Sequence, residues 1–383
     1  MASLAAGVGN LALSSPSAIA QSSGRSSKRY RSFRPGELWL DTAGKPIQAH
    51  GGSIIEVDGT FYWYGENKEF TDGSNGIWTW GVRAYTSRDL YNWDDLGLII
   101  KPDIDDQFSP LSPYKALLDR PHIIYDSNAR RYICWIKVMN RPVTHQTRTV
   151  LVADTIKGPW RIVKTAIRPL DLDAGDFDVV VDPRSRKGYM YFQHPNTDIV
   201  CADLTPDLTD FAGPFSKHFP TAGPPATREA PAFFTRGENH YLVTSGMSGY
   251  FPNPSEVAVA KTYHGPWQVL GDLHPQDESR TSFDSQIASV FKHPHKRDLY
   301  IALADRWTAG LSPAMFESAR RGFAKLSLPK RQPLTPDEIK GVLAADMYKL
   351  GTSAARYIWL PITFEGERPV IRWRSEWSLD EFS

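Results

Sequence analysis

The chain has 383 residues, 44 basic and 43 acidic side chains and a net charge of +1, so no charge excess points to a nucleic-acid or membrane-surface partner. No run is long and apolar enough to span a bilayer, and two cysteines are too few for a disulfide framework or a cysteine-built metal site. Aromatic residues make up 12% of the chain, which suits a strand-rich core and leaves some rings free to serve as sugar-stacking platforms.

The first 35 residues differ from the rest. Ala2-Ser-Leu-Ala-Ala-Gly-Val-Gly-Asn-Leu-Ala-Leu is small and apolar, and Ala18-Ile19-Ala20 fits a signal-peptidase site. The basic segment that should open a leader is missing, so the natural start is expected to lie inside a longer leader. Residues 1–35 are therefore read as leader and flexible lead-in, and the protein is expected to be exported, to the periplasm or beyond.

From residue 36 to residue 383 one pattern recurs. A polar residue opens an apolar run, a short turn follows, and an aromatic-rich run comes next. The copies begin at His50, Asp119, Asp176, Glu229 and Gln286, and the last four are 57, 53 and 57 residues apart. Strand-turn-strand units of roughly 50 residues point to a β-propeller, and five copies predict an all-β, five-bladed propeller. Trp93, Trp160 and Trp267 each follow a turn past an apolar strand and are expected to pack between blades, with Asp207-Leu-Thr-Asp-Phe211 as a degenerate further copy. Cys134 and Cys201 fall within predicted strands as small buried hydrophobes. Pro336-Asp-Glu-Ile-Lys-Gly-Val-Leu, with Thr335 as N-cap, is the one strong helix signal. A C-terminal hairpin around Glu365-Gly-Glu367 is expected to join the outer strands and close the ring.

If each lead residue opens the innermost strand of its blade, all five converge on a central funnel. Asp176 and Glu229 then face one mouth from adjacent blades. Two carboxyls with separated pKa values are what glycoside cleavage requires, one of them protonated to serve the leaving oxygen. Taken singly, either could cap a strand or pair with Arg228; the shared register favours a joint role.

The motifs Ile47-Gln-Ala-His-Gly-Gly52, Tyr62-Trp-Tyr-Gly-Glu66, Ser87-Arg-Asp-Leu-Tyr-Asn-Trp93, Arg120-Pro121, Arg228-Glu-Ala-Pro231, Thr244-Ser-Gly246 with Pro252-Asn253, Ser285-Gln286, Trp359-Leu-Pro361 and Trp373-Arg-Ser-Glu-Trp377 run through nearly the whole of the propeller region. In them the chain resembles the five-bladed propellers of glycoside hydrolase family 43, and most closely the subgroup acting on β-1,3-galactan. The resemblance implies Glu229 as general acid and Asp176 as the carboxylate that orients it and holds its pKa up. The family's usual Asp base in the first blade is replaced here by Gln48-Ala49-His50, a gap the galactanase-like subgroup shares, and Gln286 is then the polar residue facing the site from the fifth blade. Glu66 and Asp119 match positions expected to bind sugar hydroxyls, and His50, Tyr250, Asn253 and Asn196 complete the expected contacts. Three positions depart from the pattern: Trp135-Ile-Lys137 stands where Trp-Met-His is expected, Pro195-Asn196 where an acid precedes Asn, and Tyr250 where Trp is expected.

A neutral amide has almost no proton affinity near pH 7, so Gln286 cannot be a simple base. It could hold the attacking water while Glu66 or Asp119 takes the proton, or act as an imidic-acid tautomer; His50 is a further candidate, although Gly51-Gly52 beside it suggests a structural, channel-lining role. The expected function is an exo-acting, inverting glycoside hydrolase on β-1,3-galactan. Its rivals are another family 43 activity, β-xylosidase or α-L-arabinofuranosidase, and a non-catalytic sugar-binding propeller. The expected partner is an oligosaccharide or polysaccharide, with no nucleic acid and no membrane, and the chain is expected to be a monomer. No organic cofactor is implied. Some relatives hold calcium in the central channel, and the sequence leaves that point open.

Overall fold

In the computed structural model the described residues are 29–221, 223, 226–327 and 330–383. The leader reading for residues 1–28 lies outside them. Blade 1 comprises β1 (His50–Val57), β2 (Thr60–Glu66), β3 (Val82–Ser87) and β4 (Asp94–Ile100). Blade 2 comprises β5 (Ala116–Asp126), β6 (Arg131–Asn140), β7 (Gln146–Ala153) and β8 (Arg161–Ile167). Blade 3 comprises β9 (Phe177–Val181), β10 (Gly188–His194), β11 (Asp198–Leu204) and β12 (Phe211–His218). Blade 4 comprises β13 (Arg228–Arg236), β14 (Asn239–Gly246), β15 (Ser255–Ala260) and β16 (Gln268–Asp272). Blade 5 comprises β17 (Gln286–Lys292), β18 (Tyr300–Arg306), β19 (Arg356–Glu365) and β20 (Arg368–Ile371).

Every sheet is a four-stranded meander in chain order. The inner strands β1, β5, β9, β13 and β17 touch in succession, and β17 returns to β1, so the five sheets form a five-bladed propeller. Blades stack on both faces. Their middle strands are therefore buried on both sides and read as continuous apolar runs, as in Tyr189-Met-Tyr-Phe192 of β10 and Ile199-Val-Cys-Ala202 of β11. The outermost strands β8 and β12 are largely exposed. Cys134 and Cys201 are free and buried within β6 and β11.

The tryptophans sit between blades. Trp93 packs on Trp63 of its own blade and Trp359 of blade 5, with ring centroids 5.3 and 6.3 Å away. Trp160 packs where blades 1 and 2 meet, and Trp267 where blades 3 and 4 meet. The β19–β20 hairpin supplies the outer strands of blade 5, as its sequence predicts. The ring closes elsewhere, through β1 against β17 and through a two-way backbone bridge between Phe33 and Trp377, whose rings stack at 4.2 Å. Phe33 is buried and Tyr30 packs against the same cluster, so the packed unit begins ahead of the boundary drawn at residue 36.

Two helices interrupt blade 5 between β18 and β19. α2 (Pro336–Ala344) carries the expected Thr335 cap, closed into a capping box with Glu338. α1 (Pro313–Leu326), capped by Ser312, was not anticipated, although Ser-Pro before an Ala-, Arg- and Lys-rich run is a start signal. The helices meet at Gly341, where a Cβ would collide with the Ala319 backbone of α1.

Candidate active site

The lead residues do gather at one end of the axis, and the backbone explains why. The pairing slips just after the lead residue between β1 and β2, β5 and β6, β13 and β14, and β17 and β18. Such bulges turn a strand end and re-aim its side chains. In three blades the next residue is left-handed: Gly51 at φ 60°, Arg120 at φ 47° and Ala230 at φ 49°. Two of these are not glycine, a strain of about 1–3 kcal/mol each that surrounding structure must hold. Only glycine fits at 51, because a Cβ there would collide with the Glu66 carboxylate.

Glu229 is buried at the head of β13, and Gln286 Nε2 donates to its Oε1 at 3.1 Å. The same Nε2 reaches Ser245 Oγ at 3.1 Å, and Gln286 Oε1 accepts from Arg120 Nη2 at 2.6 Å. Asp176, ahead of β9, lies 3.0 Å from Arg120 Nε and 2.7 Å from Lys137 Nζ. Lys137 also reaches Asp119 Oδ2 at 3.0 Å, and Trp78 Nε1 donates to the other Asp119 oxygen. Glu66 closes the ring of charge: its Oε1 accepts the Arg120 backbone N–H at 2.9 Å, and its Oε2 meets Lys68 Nζ at 2.6 Å. Trp78, Tyr250 and Trp307 stack in a row with centroids 5.5 and 4.7 Å apart, forming an aromatic wall beside these acids.

The carboxyls are driven to opposite states. Burial, reinforced by the Asp176 charge, pushes the Glu229 carboxyl well above its usual range, against the pull of Arg120, Lys137 and the Gln286 amide. Burial would raise Asp176 as well, but Arg120 and Lys137 outweigh it and hold Asp176 ionised far below the usual range. At neutral pH the cluster thus offers one protonated carboxyl beside one carboxylate. Asp176→Asn removes the anion that favours protonated Glu229 and leaves two cations less compensated. Both changes lower the Glu229 pKa, so the alkaline limb of the pH–rate profile is expected to move to lower pH; an unmoved limb with full activity would reduce Asp176 to a strand cap.

Several expected site residues are placed differently. His50 is fully buried and points into blade 5, with Nδ1 2.8 Å from Asp305, Nε2 3.2 Å from the Tyr357 hydroxyl and its ring stacked on Tyr357. It is a structural residue, and its place at the funnel is taken by its cross-strand partner Glu66. The Asn253 amide is spent on the Gly246 backbone and Ser248 Oγ, so it staples the β14–β15 loop instead of meeting sugar. Asn196 stands exposed, with φ 64°, in the β10–β11 turn at the same end of the propeller. Inverting cleavage calls for a separation of roughly 6.5–9.5 Å between Glu229 and Gln286, with a water between. Instead the two are neighbours in direct contact, because blades 4 and 5 adjoin and both bulges aim their lead residues the same way. Arg120, Lys137, Lys68 and Trp78 are site residues that the sequence reading did not select. Arg120-Pro121 and Lys137 were visible as motif and departure, whereas Trp78 lies in an irregular segment with no periodic signal.

Beneath the cluster, His122 Nδ1 lies 3.4 Å from Asp178, and burial pushes His122 down to about 3 and Asp178 up to about 7. Among the described residues no group of three or more His, Cys, Asp or Glu side chains is arranged to hold a metal ion. A cavity of about 970 Å³ opens beside the cluster, sharing Ser245 with it and walled by Arg228, Glu256, Phe251 and Phe323 of α1.

The sequence model of Glycosyl hydrolases family 43 matches residues 45–313. The chain belongs to this family. A family 43 β-1,3-galactosidase structure superposes with a TM-score of 0.71 at 26% identity, covering 92% of this chain and 64% of that one. An exo-β-1,3-galactanase from Phanerochaete chrysosporium in complex with galactose gives 0.71 at 24% identity, covering 91% and 68%. A protein of Escherichia coli (strain K12) named as a candidate beta-xylosidase is 25% identical over 221 residues, 54% of this chain. The chain spans 38% of that relative's length and just under two thirds of the first galactosidase. The chain thus carries a family 43 glycoside hydrolase domain.

Proposed function

We propose that the protein is an exported, exo-acting glycoside hydrolase that cleaves β-1,3-linked galactan with inversion. The observation that carries the reading is the buried pair of Glu229, held protonated, and Asp176, held ionised, at one end of the propeller. Because Gln286 donates to Glu229 Oε1, the acidic proton sits on Oε2, which is free to meet the leaving oxygen. Sugar entering the funnel parts the Gln286–Glu229 contact and occupies the space between them. Gln286 Oε1 keeps Arg120 on one lone pair and offers the other to the attacking water. The water's proton passes to Glu66, whose carboxyl burial pushes upward into a range where it accepts a proton readily. Trp78, Tyr250 and Trp307 stack on one another, so they back the acids as a packed wall instead of presenting a free ring face to the sugar. The β-1,3-galactosidase likeness at 26% identity supports galactan as substrate.

A second reading, β-xylosidase activity, is favoured by the Escherichia coli relative. Incubation with β-1,3-galacto-, β-1,4-xylo- and arabino-oligosaccharides, followed by product chromatography, separates the two. Galactose released one unit at a time is the expected result. Early-time NMR of the released sugar should show the α-anomer; β-galactose as first product would overturn inversion, and xylose release alone would overturn the substrate.

A further inference from the structure

The register pairs Lys137 of β6 with Asp119 of β5, which brings the lysine to the funnel at the level of the lead residues. Its side chain is only 7% exposed, and its ammonium lies between Asp119 Oδ2 at 3.0 Å and Asp176 Oδ1 at 2.7 Å. A buried ammonium persists only when paired, and this one is paired twice. The remaining oxygen of each acid is also occupied, Asp119 by Trp78 Nε1 and Asp176 by Arg120 Nε. One connected chain therefore runs Trp78, Asp119, Lys137, Asp176, Arg120, Gln286, Glu229, touching all five blades but using a single residue, Lys137, to join the second to the third on the side away from Arg120. The family resemblance leads to His at this position, a group whose charge is conditional; lysine makes the charge permanent.

We propose that Lys137 is a positioning residue of the reaction: it locks Asp119 to Asp176 and sets how much of the Asp176 charge reaches the acid Glu229. This rests on the reading of Glu229 as general acid. The other charges around Glu229 are accounted for. Arg120 of β5 and the Gln286 amide of β17 pull on Glu229 in the same direction as Lys137, Glu66 is paired with Lys68, and Arg228 on the same blade as Glu229 is engaged by Glu256. Arg148 of β7 donates to the carbonyls of Ala174 and Gly175 behind Asp176, and His122 with Asp178 lies below. Removing Lys137 withdraws a cation from Glu229 and frees more of the Asp176 charge, and both effects favour protonated Glu229.

The test is the pH–rate profile of Lys137→Met and Lys137→Arg on whichever oligosaccharide the unmodified protein cleaves, with near-UV circular dichroism to certify folding. Lys137→Met should move the alkaline limb upward by about one pH unit, opposite in sign to Asp176→Asn, and lower kcat more than it raises KM. Lys137→Arg should leave the limb in place. An unmoved limb in folded Lys137→Met overturns the proposal, as does an equal shift in Lys137→Arg. If Lys137→Met does not fold, Lys137→Gln carries the same comparison, with the same two outcomes. Glu229→Gln separates the two readings. Loss of the alkaline limb there assigns that limb to Glu229, whereas a retained limb and rate would sink the acid assignment irrespective of Lys137.

Discussion

Glu229→Gln is expected to lower turnover of β-1,3-galacto-oligosaccharides by roughly 10²–10⁴-fold, the usual contribution of a positioned general acid. Glutamine keeps the shape and the contact with Gln286 but carries no transferable proton. The loss should depend on the leaving group: an aryl galactoside with an acidic phenol needs little protonation and should be cleaved at a rate much closer to that of the unmodified protein. Burial and the neighbouring Asp176 charge favour the protonated state of Glu229, so activity should persist into mildly alkaline solution and fall as Glu229 ionises. The glutamine variant should lack that fall. Near-native turnover of galacto-oligosaccharides by the variant would take the acid role away from Glu229. An equal loss on both substrate types would mean that the substitution had disturbed sugar binding instead of proton delivery.

The architecture was legible because each blade must bury both faces against its neighbours. That demand writes an apolar run, a turn and an aromatic run into every repeat, and the period alone gives the blade count. The position of Glu229 and Asp176 at a common mouth followed from the same register. What the repeat could not convey was direction. His50 heads β1 as Glu229 heads β13, yet the left-handed Gly51 and the Asp305 carboxylate turn its ring outward into blade 5. Gln286 and Glu229 occupy equivalent positions in adjoining blades, so their side chains meet; a one-dimensional repeat places them in the same funnel without saying how close. Arg120 and Lys137 escaped selection for a related reason. Basic residues in a nearly neutral chain look like solvated surface, and only the convergence of four acidic side chains on one axis explains why two cations are buried there. The helical insertion in blade 5 carries local start signals but no trace of the repeat, so the period gives no help in locating it.

Gln286→Ala is the substitution that tests the least familiar part of the mechanism, and turnover is expected to fall by about 10²-fold or more, the scale associated with losing the placement of a reacting group. The side chain makes three contacts, to Glu229, Ser245 and Arg120, and belongs to no apolar cluster, so the fold should persist with little change in thermal midpoint. Two effects should be separable. Removing the N–H that Gln286 donates to Glu229 Oε1 takes away an interaction favouring the ionised acid, so the alkaline limb should move to higher pH. Removing the carbonyl oxygen leaves the attacking water without its anchor, which should depress the pH-independent maximum itself. If Gln286 served only to hold Glu229, the limb would move and the maximum would stay near its original height. If it served only the water, the maximum would fall with the limb in place. Full activity with neither change would transfer both tasks to Glu66, the remaining acid on the funnel whose carboxyl is pushed upward by burial. The companion Glu66→Gln should then abolish turnover in the Gln286→Ala background, whereas in the unmodified protein it should slow turnover by removing the proton acceptor and leave the position of the Glu229 limb close to where it was.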